Sequence, residues 1–216
     1  MSEPTLVLAL RHGQTAYNAS QRIQGQLDVG LDDTGRWQAA RLGAALADAG
    51  LHALHSSDLQ RALHTAQAIG AVTGLQVHTH TALRERGFGR LEGLSYTEIE
   101  ARFPEDALRW RQREPGFGPG GGEPLDAFYA RSVDAFARLA AAHPGQTIAV
   151  VAHGGVLDCL YRAAAGIGLQ APRTWQLGNA AVNRLLFSEG RFVVVGWDDR
   201  GHLEPGAPAP GRLDDA

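Results

Sequence analysis

Two short motifs in this sequence place a histidine beside glycine at the end of an apolar run. Residues 6–10 are followed by Arg11-His12-Gly13, and residues 147–152 are followed by His153-Gly154-Gly155. An unbroken apolar run of this length is typical of a strand buried on both faces, as in a parallel sheet. Because the carboxyl ends of such strands form the ligand-binding edge of an open α/β sheet, the two histidines are expected to converge there.

An arginine and a carboxylate complete the set of candidate reactive residues. Arg61 follows Ser56-Ser57-Asp58, any of which could cap a helix, so it is expected in the first helical turn. Backbone N–H groups and the helix dipole favour an anion at that position. A solvated Arg61 on a helix surface is the simpler alternative. Glu85 lies in a segment with three glycines, an irregular kind of loop that often carries functional sites.

Several familiar catalytic arrangements are missing from the sequence. It has no His-Glu-x-x-His pair for a metal, no Gly-x-Ser-x-Gly elbow and no phosphate-binding loop with a lysine. Cys159, the one cysteine, lies in an apolar helical stretch and is most simply a core residue. Gly116, Gly118 and Gly121 match a dinucleotide-binding pattern, but no strand precedes them and Pro119 interrupts the turn. The segment is expected to be a mobile loop.

An imidazole nucleophile that attacks phosphorus is the chemistry that fits the remaining residues. Neutral imidazole can form a phosphohistidine. Two arginine forks can hold the oxygens of the transferred group, and a second imidazole can add a donor. A carboxylic acid such as Glu85 could protonate the leaving alkoxide and later activate water.

The elements that would position these residues alternate between strands and helices. This order predicts an α/β fold, a three-layer α/β/α sandwich with a mostly parallel central sheet. Asp32 or Asp33 is expected to cap a helix over residues 36–49, with Trp37, Ala40, Ala44 and Ala47 on one helical stripe and Leu42 and Leu46 on another. Further strands are predicted over residues 51–56 and 75–80, and a terminal hairpin pairs residues 184–187 with 192–195. A second helix is predicted to begin near Ser56–Asp58, with Ala62, Ala66, Ile69 and Val72 facing inward. Four further helices are predicted over residues 95–103, 106–114, 125–143 and 156–165.

Length and charge limit the class of protein. The 216 residues carry a net charge of −3, which predicts no general attraction to nucleic acid or to anionic membranes. No apolar run approaches the ~20 residues that span a bilayer, and no signal-peptide pattern is seen at residues 1–10. We therefore expect a cytoplasmic monomer or homodimer with one domain over residues 1–203. Residues 204–216, rich in Pro and Gly, are expected to be a disordered tail.

Five motifs occur in an order that is known from one protein family. They are Leu10-Arg11-His12-Gly13-Gln14-Thr15 with Asn18, Ser56-Ser57-Asp58-Leu59 before Arg61-Ala62, Thr65-Ala66, Leu83-Arg84-Glu85 followed by Phe88-Gly89 and Glu92-Gly93, and Val151-Ala152-His153-Gly154-Gly155. Over most of residues 5–190 the sequence resembles the histidine phosphatase superfamily, also called the phosphoglycerate mutase-like family. The resemblance implies the sandwich fold predicted above, with one strand reversed.

The resemblance also implies roles for individual residues. His12 would be the phosphorylated nucleophile and Glu85 the proton donor. The phosphate would be held by Arg11, Arg61 and His153, assisted by Asn18 and the Gly154 backbone, and Gln24 would close over the substrate. It implies no metal and no organic cofactor, and a small phosphorylated metabolite as partner. Pro124 departs from the serine that often follows Gly-Glu in the family, so a contact at the rim of the substrate site is expected to be missing.

Three functions are compatible with this resemblance. A metal-independent phosphatase acting on small phosphate monoesters is favoured, because 67 residues separate Glu85 from His153 and the mutases carry a long insertion there. Trp110-Arg111-Gln112-Arg113 is only a faint echo of the paired arginines of the mutases. A 2,3-bisphosphoglycerate-dependent phosphoglycerate mutase is the alternative. A phospho-ligand-binding protein without turnover is the third interpretation, although it predicts loss of His12 or Glu85 and both are present.

Overall fold

The computed structural model describes residues 3–204. Residues 205–216, and with them nearly all of the predicted disordered tail, lie outside the described residues. That residues 1–203 form a single domain stays a prediction.

A six-stranded sheet runs through the described chain in the order β3-β2-β4-β1-β5-β6. Strands β1 to β4 are mutually parallel, β5 is antiparallel to β1, and β6 is antiparallel to β5. One strand, β5, is therefore reversed relative to the other five, and the predicted mostly parallel sheet is confirmed. The strands are β1 (Thr5–Arg11), β2 (Ala53–Ser56), β3 (Val77–Thr79), β4 (Thr147–Ala152), β5 (Val182–Ser188) and β6 (Arg191–Asp199).

Helices cover both faces of the sheet, because alternate residues of its central strands are apolar on both sides. Val7 and Ala9 of β1 lie in one core cluster, while Leu8 and Leu10 lie in the other. The first cluster includes residues of α6 and α7, and the second includes residues of α2 and α3. The predicted three-layer sandwich is confirmed. The helices are α1 (Ala16–Ala19), α2 (Asp33–Ala45), α3 (Gln60–Thr73), α4 (Tyr96–Arg102), α5 (Pro104–Arg111), α6 (Leu125–Ala141) and α7 (Gly154–Ala165).

The inward face predicted for α3 is wrong at Val72, which is 51% exposed. Of the two stripes predicted for α2, the one with Leu42 and Leu46 is buried, whereas Trp37 on the other is 49% exposed. Small residues elsewhere on α2 allow the two helices to approach closely, because an added Cβ at Gly43 would lie 2.7 Å from the Ala68 carbonyl oxygen of α3.

The predicted caps of α2 and α4 are confirmed, and those of α3 are wrong. Asp32 accepts from the Gly35 backbone N–H at 2.7 Å, and Ser95 forms a capping box with Glu98. No side chain of the preceding Ser-Ser-Asp segment caps α3, because the Asp58 carboxylate pairs with Arg84 instead. The backbone N–H of Gln60 donates to Asp28, from a distant loop, at 2.7 Å.

The segment between β3 and α6 has its own small apolar core and contributes residues to the wall of a cavity. It contains α4, α5 and a small apolar cluster of Leu91, Ile99 and Ala107. Its glycine-rich stretch packs backbone against backbone, since an added Cβ at Gly120 would lie 2.5 Å from the Phe88 carbonyl oxygen. Within the dinucleotide-like pattern, an added Cβ at Gly118 would lie 2.2 Å from the Gly122 carbonyl oxygen, and Gly121 has a φ of 78°. These two glycines are therefore needed for the backbone itself.

Candidate active site

The register between β1 and β4 brings the two histidines together. Arg11 pairs with Ala152 across the parallel ladder, and His12 and His153 each come one residue later. Their ring centroids are 5.2 Å apart, with the ring planes inclined at 55°. Both side chains are buried.

His12 is held by its backbone and has a defined tautomer. Its backbone N–H donates to the Ala152 carbonyl at 3.1 Å, and its carbonyl accepts from Asn179 Nδ2 at 3.0 Å. Its Nδ1 lies 2.7 Å from the carbonyl oxygen of Gly13, which can only accept, so Nδ1 carries the proton. The lone pair of the neutral ring is therefore on Nε2, where it can act as a nucleophile.

Burial and positive charge keep both imidazoles neutral. Burial is the main cause that lowers the pKa of His12 well below its ordinary value, and the positive charges of Arg61 and Arg11 lower it further. The same two causes, burial first and then Arg61, lower the pKa of His153. A neutral ring is the form that can attack phosphorus.

Two arginines next to His12 are fixed by backbone carbonyls. Arg61, in the first turn of α3, donates to the carbonyls of Leu27 at 2.8 Å and Gly25 at 2.7 Å. Arg11 donates through Nη1 to the Leu177 carbonyl. Burial lowers the pKa of Arg11 to about 10, so the group is still a cation at neutral pH. Arg61 is 1% exposed, so the alternative of a solvated surface arginine is wrong.

Several buried nitrogen atoms beside His12 have no hydrogen-bond partner within residues 3–204. They are Nε of Arg11, Nε of Arg61 and both ring nitrogens of His153. Buried polar atoms are rarely left unpaired, so a cluster of such atoms needs an explanation. Cations and N–H donors together form a site for an anion with several oxygens.

Glu85 lies at the amino end of α7, where two backbone groups bind its carboxylate. Oε2 accepts from the Gly155 N–H at 2.8 Å, and Oε1 accepts from the Arg86 N–H at 2.8 Å. A Cβ added at Gly155 would lie 2.3 Å from Glu85 Oε1, so this contact requires glycine. The loop itself is held by Arg131, which donates to the carbonyls of Ala82 and Arg84.

Asn18 and Gln24 are linked through one threonine. Thr15 caps the short helix α1, and Asn18 Oδ1 accepts from the Thr15 backbone N–H at 3.1 Å. The Thr15 hydroxyl lies 2.9 Å from Gln24 Oε1. These contacts use the oxygen atoms of both amides. The amide NH₂ groups therefore remain available as donors.

A cavity of about 880 Å³ contains most of the predicted site residues. Its lining includes Arg11, His12, Asn18, Gln24, Arg61, Glu85 and Gly154. His153 is not among the lining residues, and its ring lies behind the cavity wall, 5.2 Å from the ring of His12. From the segment over residues 95–124, only Tyr96, Trp110 and Arg113 line the cavity. Pro124 does not line it, and Glu123 pairs with Arg131.

Two other chemistries lack the necessary groups in the described part of the chain. Cys159 lines the cavity, but burial raises the pKa of its thiol far above neutrality, so it is not a thiolate. Among residues 3–204 no group of three or more His, Cys, Asp or Glu side chains could hold a metal ion.

Some residues that support the site had no role assigned from the sequence. Thr65 stood in a motif without a role, and its hydroxyl accepts from the Gly13 N–H at 3.0 Å. Asn179 and Arg131 stood in no motif. Gly35 packs against the loop after β1, where an added Cβ would lie 1.9 Å from the Gln14 carbonyl oxygen. Such contacts depend on tertiary packing between distant segments.

Comparison with known proteins assigns the family. The model of the histidine phosphatase superfamily (branch 1) matches residues 7–200. The chain belongs to this superfamily. It is 40% identical over 202 residues to phosphoglycerate mutase-like protein 4 of Arabidopsis thaliana, and the alignment covers 92% of this chain and 86% of that protein. It is 35% identical over 205 residues to a metal-independent phosphoserine phosphatase of the same plant, covering 94% and 84%.

A solved structure agrees with the assignment to this superfamily. A mycobacterial glucosyl-3-phosphoglycerate phosphatase superposes with a TM-score of 0.82 at 34% identity, covering 92% of this chain and all of that one. Within residues 3–204, no helix of this superfamily member is long and apolar enough to cross a membrane.

Proposed function

We propose that the chain is a phosphatase that hydrolyses small phosphate monoesters without a metal, through a phosphohistidine on His12. The observation that carries this proposal is the set of unpartnered buried nitrogens of Arg11, Arg61 and His153 beside a neutral His12. A phosphoryl group would satisfy those donors and would be in reach of the nucleophile. Its family membership and its phosphatase relatives support the same activity.

The first half-reaction transfers the phosphoryl group to the enzyme. Nε2 of His12 attacks phosphorus, and the bond from phosphorus to the ester oxygen breaks. Glu85, in its acid form, gives its proton to the leaving oxygen, which departs as an alcohol. Arg11, Arg61 and His153 stabilise the charge on the phosphoryl oxygens, with Asn18 and the Gly154 backbone assisting.

The second half-reaction releases phosphate. Glu85, now a carboxylate, accepts a proton from water while the water oxygen attacks phosphorus and the P–N bond breaks. His12 and the acid form of Glu85 are restored. Gln24, on the cavity wall beside Asn18, is assigned to closing over the bound substrate.

Hydrolysis of p-nitrophenyl phosphate in the presence of EDTA tests the proposal. We expect the wild-type chain to turn over this ester and His12→Ala to lose at least about 10³-fold in kcat, because the covalent route is removed. An exposed-site substitution, His64→Gln, is the control. A wild-type chain that hydrolyses no phosphomonoester would favour a binding protein without turnover.

Phosphoglycerate mutase activity is the second candidate, because a mutase-like relative shares 40% identity with the chain. It requires the phosphohistidine to return its phosphoryl group to a phosphoglycerate faster than to water. Exchange between 2- and 3-phosphoglycerate that depends on 2,3-bisphosphoglycerate would reveal it. The cytoplasmic location and the monomeric or homodimeric state stay predictions from the sequence.

A further inference from the structure

Arginines are the main cations on the cavity wall, and one of them differs from the rest. Arg22 donates to Glu98 at 2.8 Å, Arg86 to the Phe117 carbonyl at 2.7 Å, and Arg113 to Asp158 at 2.8 Å. Arg11 and Arg61 bind carbonyls, as described above. Arg173 also lines the cavity, but it has no hydrogen-bond or ion-pair partner in the chain from residue 3 to residue 204.

The loop that carries Arg173 is anchored on both sides. Before it, the Leu169 carbonyl accepts from Arg113. After it, the Trp175 ring stacks on Tyr161 with centroids 4.3 Å apart, and the Leu177 carbonyl accepts from Arg11. The backbone of Arg173 is therefore fixed at the cavity wall, while its exposed guanidinium is free to bind a ligand.

Arg173 lies within electrostatic range of both the floor and the rim of the cavity. Burial is the main cause that lowers the pKa of Arg11, and repulsion from Arg173 contributes. Burial is likewise the main cause that raises the pKa of Tyr96, an effect that the charge of Arg173 opposes. Tyr96 belongs to the rim, where its ring stacks on Trp110 at 5.2 Å.

We propose that Arg173 is a specificity-determining residue that binds a carboxylate of the substrate while the phosphoryl group occupies the site beside His12. This inference rests on the proposed function and adds a substrate class to it, namely phosphomonoesters that also carry a carboxylate. A guanidinium fork matches a carboxylate in geometry and binds it through two parallel hydrogen bonds.

Charge balance favours a carboxylate over a second phosphate. One unpaired guanidinium neutralises one negative charge, whereas a second phosphate group carries a charge of about −1.5 to −2 at pH 7. Arg22 and Arg113 are paired with carboxylates, and Arg86 uses its donors on backbone carbonyls. Arg11 and Arg61 face the phosphoryl site, so among the described residues of the cavity wall only Arg173 is left to bind a second anionic group. A bisphosphate would therefore be bound less well than a phosphorylated carboxylic acid.

The test compares two esters that differ at one carbon. D-3-Phosphoglycerate has a carboxylate where sn-glycerol 1-phosphate, which has the same spatial arrangement at C2, has a CH₂OH group, and both have an alkyl leaving group. For the wild type we expect a higher kcat/KM on 3-phosphoglycerate. In Arg173→Gln we expect kcat/KM to fall about tenfold on 3-phosphoglycerate and less than about twofold on glycerol 1-phosphate. Arg173→Lys should recover part of the loss.

Controls separate this inference from the proposed function. Arg191→Gln removes an exposed arginine at the far end of β6 and should change neither ester. Calorimetric binding of both esters in the His12→Ala background tests Arg173 without turnover. Equal losses on the two esters, no loss on 3-phosphoglycerate, or a preference for a bisphosphate would each overturn the inference. A wild-type chain without phosphatase activity would overturn the proposed function instead, and selective binding would still decide the role of Arg173.

Discussion

Glu85 is bound by two backbone N–H groups beside the phosphoryl site, so its role can be separated from that of His12. An alkyl leaving group needs a proton, while p-nitrophenolate leaves without one. We predict that Glu85→Gln lowers the rate of phosphoryl transfer from glycerol 3-phosphate by about 10²-fold or more, as loss of a general acid does.

The same variant should form the covalent intermediate from p-nitrophenyl phosphate. Stopped-flow measurement should show a burst of about one p-nitrophenolate per chain, followed by slow turnover, because water activation has also lost its base. The control variant is Glu92→Gln, which removes a neighbouring carboxylate that has no assigned role in proton transfer. A burst rate reduced as strongly as the alkyl ester rate would show that Glu85 does not act as the acid.

Individual site residues could be predicted from the sequence where they stood in motifs. Arg11, His12, Arg61 and Glu85 were all named, and the structure places them around one cavity. The residues that position them could not be named in the same way. Asn179 and Arg131 act on backbone carbonyls of distant segments, and a backbone contact leaves no pattern of residue types.

Helix α2 and the loop after β1 approach so closely that only glycine fits between them. An added Cβ at Gly35 would lie 1.9 Å from the Gln14 carbonyl oxygen, and one at Gly13 would lie 2.5 Å from the Gly35 carbonyl oxygen. We predict that Gly35→Ala displaces the loop that carries His12. Activity should fall on the order of 100-fold, the cost of about 1 Å of misplacement.

Gly43→Ala, on the same helix, provides the matched control. Its added Cβ would meet the Ala68 carbonyl oxygen of α3 at 2.7 Å, away from the cavity. Urea unfolding should show a loss of about 1–3 kcal/mol in both variants, as overpacking causes. Only Gly35→Ala should lose activity under conditions where both are folded. Full activity in folded Gly35→Ala would contradict this account.

Elements with strong periodicity or clear caps could be predicted, and their exact faces could not. The buried strands β1 and β4 were read from unbroken apolar runs, and the capping box at Ser95 from its spacing. Val72 was assigned inward from its spacing, although it is 51% exposed next to the last residue of α3. The cap of α3 comes from Asp28, which no local pattern could indicate.

A chain of histidines elsewhere in the molecule makes stability depend on pH. His143 Nδ1 donates to Gln146 Oε1 at 2.8 Å, which leaves its Nε2 to accept from His55 Nε2 at 3.4 Å. His55 Nδ1 then accepts from His80 Nε2 at 3.1 Å. None of these histidines stands in a motif of the sequence. The hydrogen-bonded chain needs neutral rings.

Acid should therefore destabilise the fold. Burial, with repulsion from His80, His143 and His78, lowers the pKa of His55 from 6.5 to about 4. Between those values the unfolded chain binds more protons at His55 than the folded one, so the contribution of His55 to stability is present above pH 6.5 and is lost as pH falls toward 4. His55 should account for up to about 2 kcal/mol of loss between pH 7 and 5.

Urea titrations at several pH values would measure this effect. His55→Gln should have a shallower pH dependence of the unfolding free energy, while the exposed His64→Gln should match the wild type. The slope that remains in His55→Gln reflects other buried histidines, such as His12 and His153, whose pKa values burial also lowers. An unchanged slope in His55→Gln would show that the histidine chain does not sense pH.

The central claim, that His12 carries the phosphoryl group during turnover, is tested most directly by rapid quenching with ³²P-labelled substrate. We predict about one acid-labile, base-stable label per chain, found on the peptide that contains His12. It should be absent from His12→Ala and longer-lived in Glu85→Gln. An active chain that carries no label, or carries it on another residue, would contradict the account.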